Sequence, residues 1–176
     1  PRRSRTPRLF RPSASPETFP LAKAAAERTR ALDPNMVEAV GALADIALYH
    51  DWDWIKAEEL FQRALNINPN SAMTHYHYAW MLALFNRMDE AIAEHKRAQE
   101  IDPLRPLHTA WLGGLYNIVG RYDEAIAEAK KALELRPKYG PSYYVMVWAN
   151  LHKGRHEEAI ALAEEGLPAA SKYAGP

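Results

Sequence analysis

Seven histidines are the residues in this chain best suited to binding metal or moving protons. His75 and His77 lie two apart in a helical stretch, a spacing that turns them to different faces. His152 and His156 have the four-residue spacing of a helical metal pair, but Gly154 sits between them in what reads as a turn. No His-Glu-x-x-His run occurs. A metal site needs three or four converging ligands, so the histidines read as surface or helix-packing residues. Gly113, Gly114 and Gly120 lack the lysine of a phosphate cradle and fall inside helical spacing, which makes Gly113 a close-packing position. Glu90, Glu124 and Glu158 recur at one interval, the behaviour of solvated helix residues rather than of half a catalytic dyad. With no convergent ionisable set, the chain reads as a non-enzyme without cofactor or metal.

Composition narrows the class further. The 176 residues contain no cysteine, which excludes disulfide scaffolds, thiolate metal sites and cysteine nucleophiles. Basic and acidic residues balance at 22 each, so no net field draws the chain to nucleic acid or membrane. No apolar run approaches the roughly 20 residues of a membrane span. The sequence starts at Pro1, which reads as a fragment or processed product with any signal peptide out of view, and a cytoplasmic location is expected. The first 20 residues hold Arg2, Arg3, Arg5, Arg8 and Arg11 against Glu17 alone, with five prolines. Proline at that density blocks a continuous helix. Residues 1–17 therefore read as a flexible basic tail; a nucleic-acid arm would need aromatics among the arginines.

The elements that must position any functional surface follow from an internal repeat. Ala57, Ala91, Ala125 and Ala159 are each 34 residues apart. Pro69, Pro103 and Pro137 keep the same interval, with Pro34 one residue out of phase. Ala64, Ala98 and Ala132 form a third column, broken by Gly166. Asn86, Gly120 and Gly154 form a fourth, each followed by arginine. Glycine and asparagine suit the left-handed stop of a helix, and Asp89 and Asp123 are placed to cap the next one. The alanines mark close helix crossings, and the prolines end each second helix. Between these marks the apolar spacing is helical, as in Ile126, Ala129 and Leu133.

The unit is thus helix, tight turn, helix, short turn, and it must stack on copies of itself to bury its apolar face. The period predicts helices near 18–32, 36–50, 53–67, 71–84, 88–101, 105–118, 122–135, 139–152 and 156–167, with one extra residue in the turn around His50 and Asp51. The solenoid occupies 18–167, and 168–176 reads as a tail or truncated element. Neither end carries an obvious polar cap, so homodimerisation through the ends is open.

These columns resemble the tetratricopeptide repeat. The best match is 104–137, with Trp111, Leu112-Gly113, Tyr116, Gly120-Arg121-Tyr122, Ala125, Ala132 and Pro137 in family-like places. The resemblance implies an all-α, right-handed solenoid of antiparallel helix pairs, about four and a half units. Asp51-Trp52-Asp53-Trp54 and Asn66-Ile67-Asn68-Pro69 resemble bacterial repeats found beside nucleotide-cyclase or winged-helix regulator domains.

The resemblance also implies that the first helix of each pair lines a concave groove. Carried over position by position, that groove holds Glu38, Gly41, Asp45 and Tyr49, then Met73, Tyr76, Trp80 and Leu84. It continues with Leu107, Ala110, Gly114 and Asn117, then Pro141, Tyr144, Trp148 and His152. Tyr76 with Trp80, and Tyr144 with Trp148, share a four-residue spacing on one helical face. Ala110 and Gly114 between them would leave a pocket with aromatic walls, while Tyr78, Leu82, Leu112, Tyr116 and Met146 supply the core. The places that hold a carboxylate clamp in some members carry Gly41, Asp45, Tyr76 and Trp80 here, which points to an apolar or aromatic ligand segment. The expected function is a protein–protein interaction module, a scaffold or regulatory part, gripping a peptide or partner segment, with no nucleic acid and no membrane. The alternative is a small-molecule sensor using the pocket near Ala110 and Gly114.

Overall fold

The computed structural model describes residues 18–171, with side chains through 166. The basic tail at 1–17 and residues 172–176 lie outside the described residues. Every described element is helical, and the chain divides into two compact units, 1–64 and 65–176. Among the described residues no helix is long and apolar enough to cross a membrane.

The first unit holds α1 (Thr18–Leu32), α2 (Val37–Ile46) and most of α3 (Trp54–Ile67). Val40, Ala44, Ala57 and Phe61 are fully buried at its centre. The Asp53 carboxylate caps α3 by accepting from the Lys56 N–H at 3.1 Å. The extra residue expected in the turn at His50 and Asp51 is instead taken up by the helix. Ala47–Asp51 continues α2 as a π-helix, and the Asp53 N–H reaches back to the Ala47 carbonyl at 2.9 Å. A wider helical turn absorbs one residue without disturbing the helix after it. The chain then returns to phase at Trp52, left-handed with φ 57°, 34 residues before Asn86.

The second unit stacks three hairpins. They are α4 (Ala72–Leu84) with α5 (Met88–Ile101), α6 (Pro106–Ile118) with α7 (Tyr122–Leu135), and α8 (Gly140–His152) with α9 (His156–Ser171). Each successive pair also packs on the one before it, α5 on α6, α7 on α8 and α6 on α8. The turns between paired helices are nearly identical. Asn86, Gly120 and Gly154 are left-handed, with φ of 60°, 77° and 71°. The arginine after each donates its N–H five residues back, to Leu82, Tyr116 and Asn150 at 2.9, 2.8 and 2.9 Å. This bond pattern satisfies carbonyls the helix end would otherwise leave open.

Asp89 and Asp123 are not the caps expected of them. Arg87 and Arg121 hold the cap positions, without a side-chain cap bond, and pair instead with Glu90 and Glu124. The two aspartates fall inside the first turn, where a carboxylate still faces the positive end of the helix. The alanine columns pack as the repeat requires: Ala57, Ala91, Ala125 and Ala159 are at most 2% exposed. Ala64, Ala98 and Ala132 are fully buried. A Cβ on Gly113 would stand 2.8 Å from the Ala125 carbonyl oxygen, so α6 and α7 cross as closely as backbone allows. Gly166 has a different cause. Its Cβ would meet the Tyr143 Cβ at 2.7 Å, and Tyr143 stands where the previous repeat has the smaller Thr109. α9 passes its expected end at 167 and runs through Pro168 to Ser171.

Candidate interaction surface

The first helices of the three stacked hairpins bring their rings into one chain of contacts within the second unit. The Trp80 and Trp111 centroids are 5.6 Å apart and nearly perpendicular. Trp111 lies 6.1 Å from Tyr144, and Tyr144 lies 5.9 Å from Trp148. His152 continues the run at 5.8 Å from Trp148, and Tyr122 closes it at 5.4 Å from His152. The Trp80–Trp111 and Tyr144–Trp148 contacts are edge-to-face, an arrangement favoured by the ring quadrupoles, and the others are tilted. Tyr144 is 54% exposed, His152 is exposed, and Trp111 and Trp148 are half-buried. A ribbon of mutually braced π faces is suited to gripping apolar side chains and proline rings.

The two tyrosine–tryptophan pairs differ in their surroundings. Tyr144 and Trp148 look outward. Tyr76 and Trp80 are half-buried and pack inward onto two buried histidines. The Tyr76 ring is 5.3 Å from His95 and 5.7 Å from His108, and Trp80 is 6.4 Å from His95. His95 and His108 are fully buried, and among the described residues their four ring nitrogens have no hydrogen-bond partner. Burial pushes both imidazoles down to about 4, with Arg105 adding to the effect at His108. Both are neutral packing residues near neutral pH. His75 behaves oppositely. Burial pulls it down, but its bonds to the Glu94 carboxylate (2.5 Å) and the Pro69 carbonyl (3.0 Å) outweigh that and raise it.

The remaining residues expected in a groove are distributed unevenly. Tyr49 is exposed, but it belongs to the first unit. Met73 and Leu107 are half-buried. Ala110 is fully buried in a cluster with Ala132 and Tyr139. Gly114 is buried beneath the Trp111 indole, whose Cε3 would lie 3.0 Å from a Cβ there, with Trp80 Cη2 at 3.8 Å. The hollow expected between aromatic walls is thus occupied by Trp111 itself. Asn117 is also interior: its amide donates to the Val145 carbonyl at 2.9 Å and ties α6 to α8. Trp111 is the surface residue that spacing alone placed only among the family-like positions. Its signal was present in Gly114, three residues on, which leaves room for a ring to lie flat along the helix.

Two family models, both described as tetratricopeptide repeat, match residues 53–106 and 119–174. The chain is 32% identical over 84 residues to the transcriptional regulator HilA of Salmonella typhimurium, a match covering 48% of this chain and 15% of HilA. The matched stretch is therefore a small part of that relative. Among solved structures, PilW, a type IV pilus biogenesis factor, aligns with a TM-score of 0.78 at 24% identity, covering 88% of this chain and 71% of PilW. YrrB, described as having an unusual peptide-binding site, aligns with a TM-score of 0.65 at 17% identity, covering 87% and 78%. At these identities the solved structures speak for the fold.

Proposed function

The chain belongs to the tetratricopeptide-repeat family, whose repeats are protein–protein interaction modules, and we propose that it works without catalysis by docking an extended partner segment on the Trp111–Tyr144–Trp148–His152 ribbon. The observation that carries this reading is the mutually braced set of rings on α6 and α8, with Tyr144 and His152 exposed and Trp111 and Trp148 half-buried. Rigid aromatics lose little conformational entropy on binding and dominate interface energetics. The peptide-binding site named for YrrB supports a peptide as the occupant, and the partial likeness to HilA supports a regulatory setting. The packing of the Trp111 indole against Gly114 favours the ribbon over a sensor pocket at Ala110 and Gly114.

A displayed library of extended peptides, panned against the full chain, provides the test. Selected peptides should be rich in proline and apolar residues and should lose about tenfold or more in affinity to Tyr144→Ala or Trp148→Ala, the equivalent of about 1.4 kcal/mol. Binders indifferent to both substitutions would place the docking surface elsewhere.

A further inference from the structure

A recess lies among α7, α8 and α9, on the side of α8 away from Tyr144 and Trp148. Its volume is about 380 Å³, within the roughly 300–1,000 Å³ range of small-ligand sites. Ile126, Met146 and Leu162 give it apolar walls, Asn150 forms part of its lining, and Lys130 and Arg155 bring two cations to it.

The repeat shows what this recess lacks. Each lining residue has a counterpart 34 positions earlier, and the counterpart of Asn150 is Tyr116. In that earlier repeat the phenol ring is only 5% exposed, and the Arg121 guanidinium covers its face at 4.4 Å. Arg121 is in turn held by Glu124. In the last repeat the arginine and glutamate recur as Arg155 and Glu158, both lining the recess. Where the ring would be stands Asn150, whose amide folds back onto its own helix and donates to the Met146 carbonyl at 2.8 Å. Leu162 replaces Glu128, which in the earlier repeat accepts from Gln99 and Lys131. Compared with the repeat before it, the last slot lacks the ring, keeps the cation that covers it there, and has an added apolar wall; one repeat earlier still, the same place holds Leu82.

We propose that this recess is a binding site for a phenol-class aromatic ring, seated between Met146 and Ile126 with its face under Arg155, as Tyr116 sits under Arg121. The ring can arrive as a free phenol or as a tyrosine side chain of another molecule, and both present the same chemistry. The site is separate from the aromatic ribbon, and neither reading depends on the other.

Titration of the full chain with p-cresol, followed by NMR of the methionine and isoleucine methyl groups, tests the site directly. Met146 and Ile126 should shift in a saturable manner, while the ring signals of Tyr144 and Trp148 stay in place. Asn150→Tyr should fill the slot from within, raise the thermal midpoint and abolish the p-cresol shifts. Arg155→Gln should weaken p-cresol binding several-fold and leave the fold intact, since the turn and the start of α9 use the backbone N–H and carbonyl of that residue, which glutamine keeps. A second titration with blocked tyrosine amide separates the sources. Shifts with both ligands mean a side chain fits with its backbone attached; shifts with p-cresol alone mean a free phenol. No saturable shift at Met146 and Ile126, or shifts that persist unchanged in Asn150→Tyr, would overturn the proposal. The wild-type titration decides the matter even if that variant folds poorly.

Discussion

The Trp148 indole N–H donates to Nε2 of His152 at 3.2 Å, and Nδ1 of the same imidazole bonds to the Trp148 carbonyl at 3.0 Å. Both bonds form together only with a neutral ring carrying its proton on Nδ1. The indole is therefore held by its own helix, before any partner arrives, in the plane that meets Tyr144. Pre-ordering of this kind lowers the entropy lost on binding.

Trp148→Ala should weaken partner binding by about 2 kcal/mol while costing little stability, because the indole is half-buried at the surface. Leu112, 1% exposed in the core, should cost roughly 2–5 kcal/mol as Leu112→Ala. Thermal denaturation of both variants compares the two roles. Equal losses would make Trp148 a packing residue and remove the ribbon as a binding surface.

Gly166→Ala should destabilise the last hairpin by roughly 1–3 kcal/mol, since the new methyl would overlap the Tyr143 Cβ and ring. Tyr143→Thr restores the residue type of the preceding repeat, and the Gly166→Ala penalty should largely vanish in that background. A double-mutant cycle by urea denaturation measures the coupling. Additive effects would mean that the glycine answers to some other constraint.

The columns at a 34-residue interval told most helix spans, and the left-handed stops at Asn86, Gly120 and Gly154, correctly because each rests on one local rule: a residue tolerating positive φ, a small residue at a crossing, a proline past an end. Insertions obey no such rule. The count showed an extra residue before Trp52, but only competition between turn and helix geometry decided that the helix would widen at Ala47–Asp51. The surface was harder to read. Ala110 and Gly114 share the phase of Tyr144 and Trp148, yet these small residues lie in the interior. Trp111, one residue out of phase, swung over Gly114 into the ribbon. Burial of His95 and His108 beside Tyr76 depends on helices brought together from separate hairpins, which spacing along one helix does not encode.

Those two histidines predict an acid-sensitive second unit. Burial lowers both from 6.5 to about 4 in the folded chain. The unfolded chain therefore takes up protons first as pH falls. The stability they allow is fully present above 6.5 and is lost through the window down to about 4, each unit of separation being worth about 1.4 kcal/mol per group. His77 and Arg105 near His108 add to the loss and Asp102 opposes it. His75, raised by Glu94 and Pro69, acts in the reverse sense: its contribution is present at low pH and fades as pH rises through its raised value. Urea midpoints measured above and below the window should fall on acidification, and His95→Phe should reduce that fall. An unchanged acid sensitivity in His95→Phe would assign it to other groups.

Trp52 occupies the stop position that glycine or asparagine fills in the later hairpins, and it does so with φ 57° and 69% of its surface exposed. A bulky side chain in the left-handed region stores strain on the order of 1–3 kcal/mol, and this indole recovers little of it by packing. Trp52→Gly should therefore stabilise the first unit, by about 1 kcal/mol once the greater freedom of glycine in the unfolded chain is subtracted. Asn86→Gly, at a stop already held by a tolerant residue, should gain less. Chemical denaturation of both variants side by side checks the ranking. A loss of stability in Trp52→Gly would mean that the indole contributes packing that outweighs the strain of its backbone.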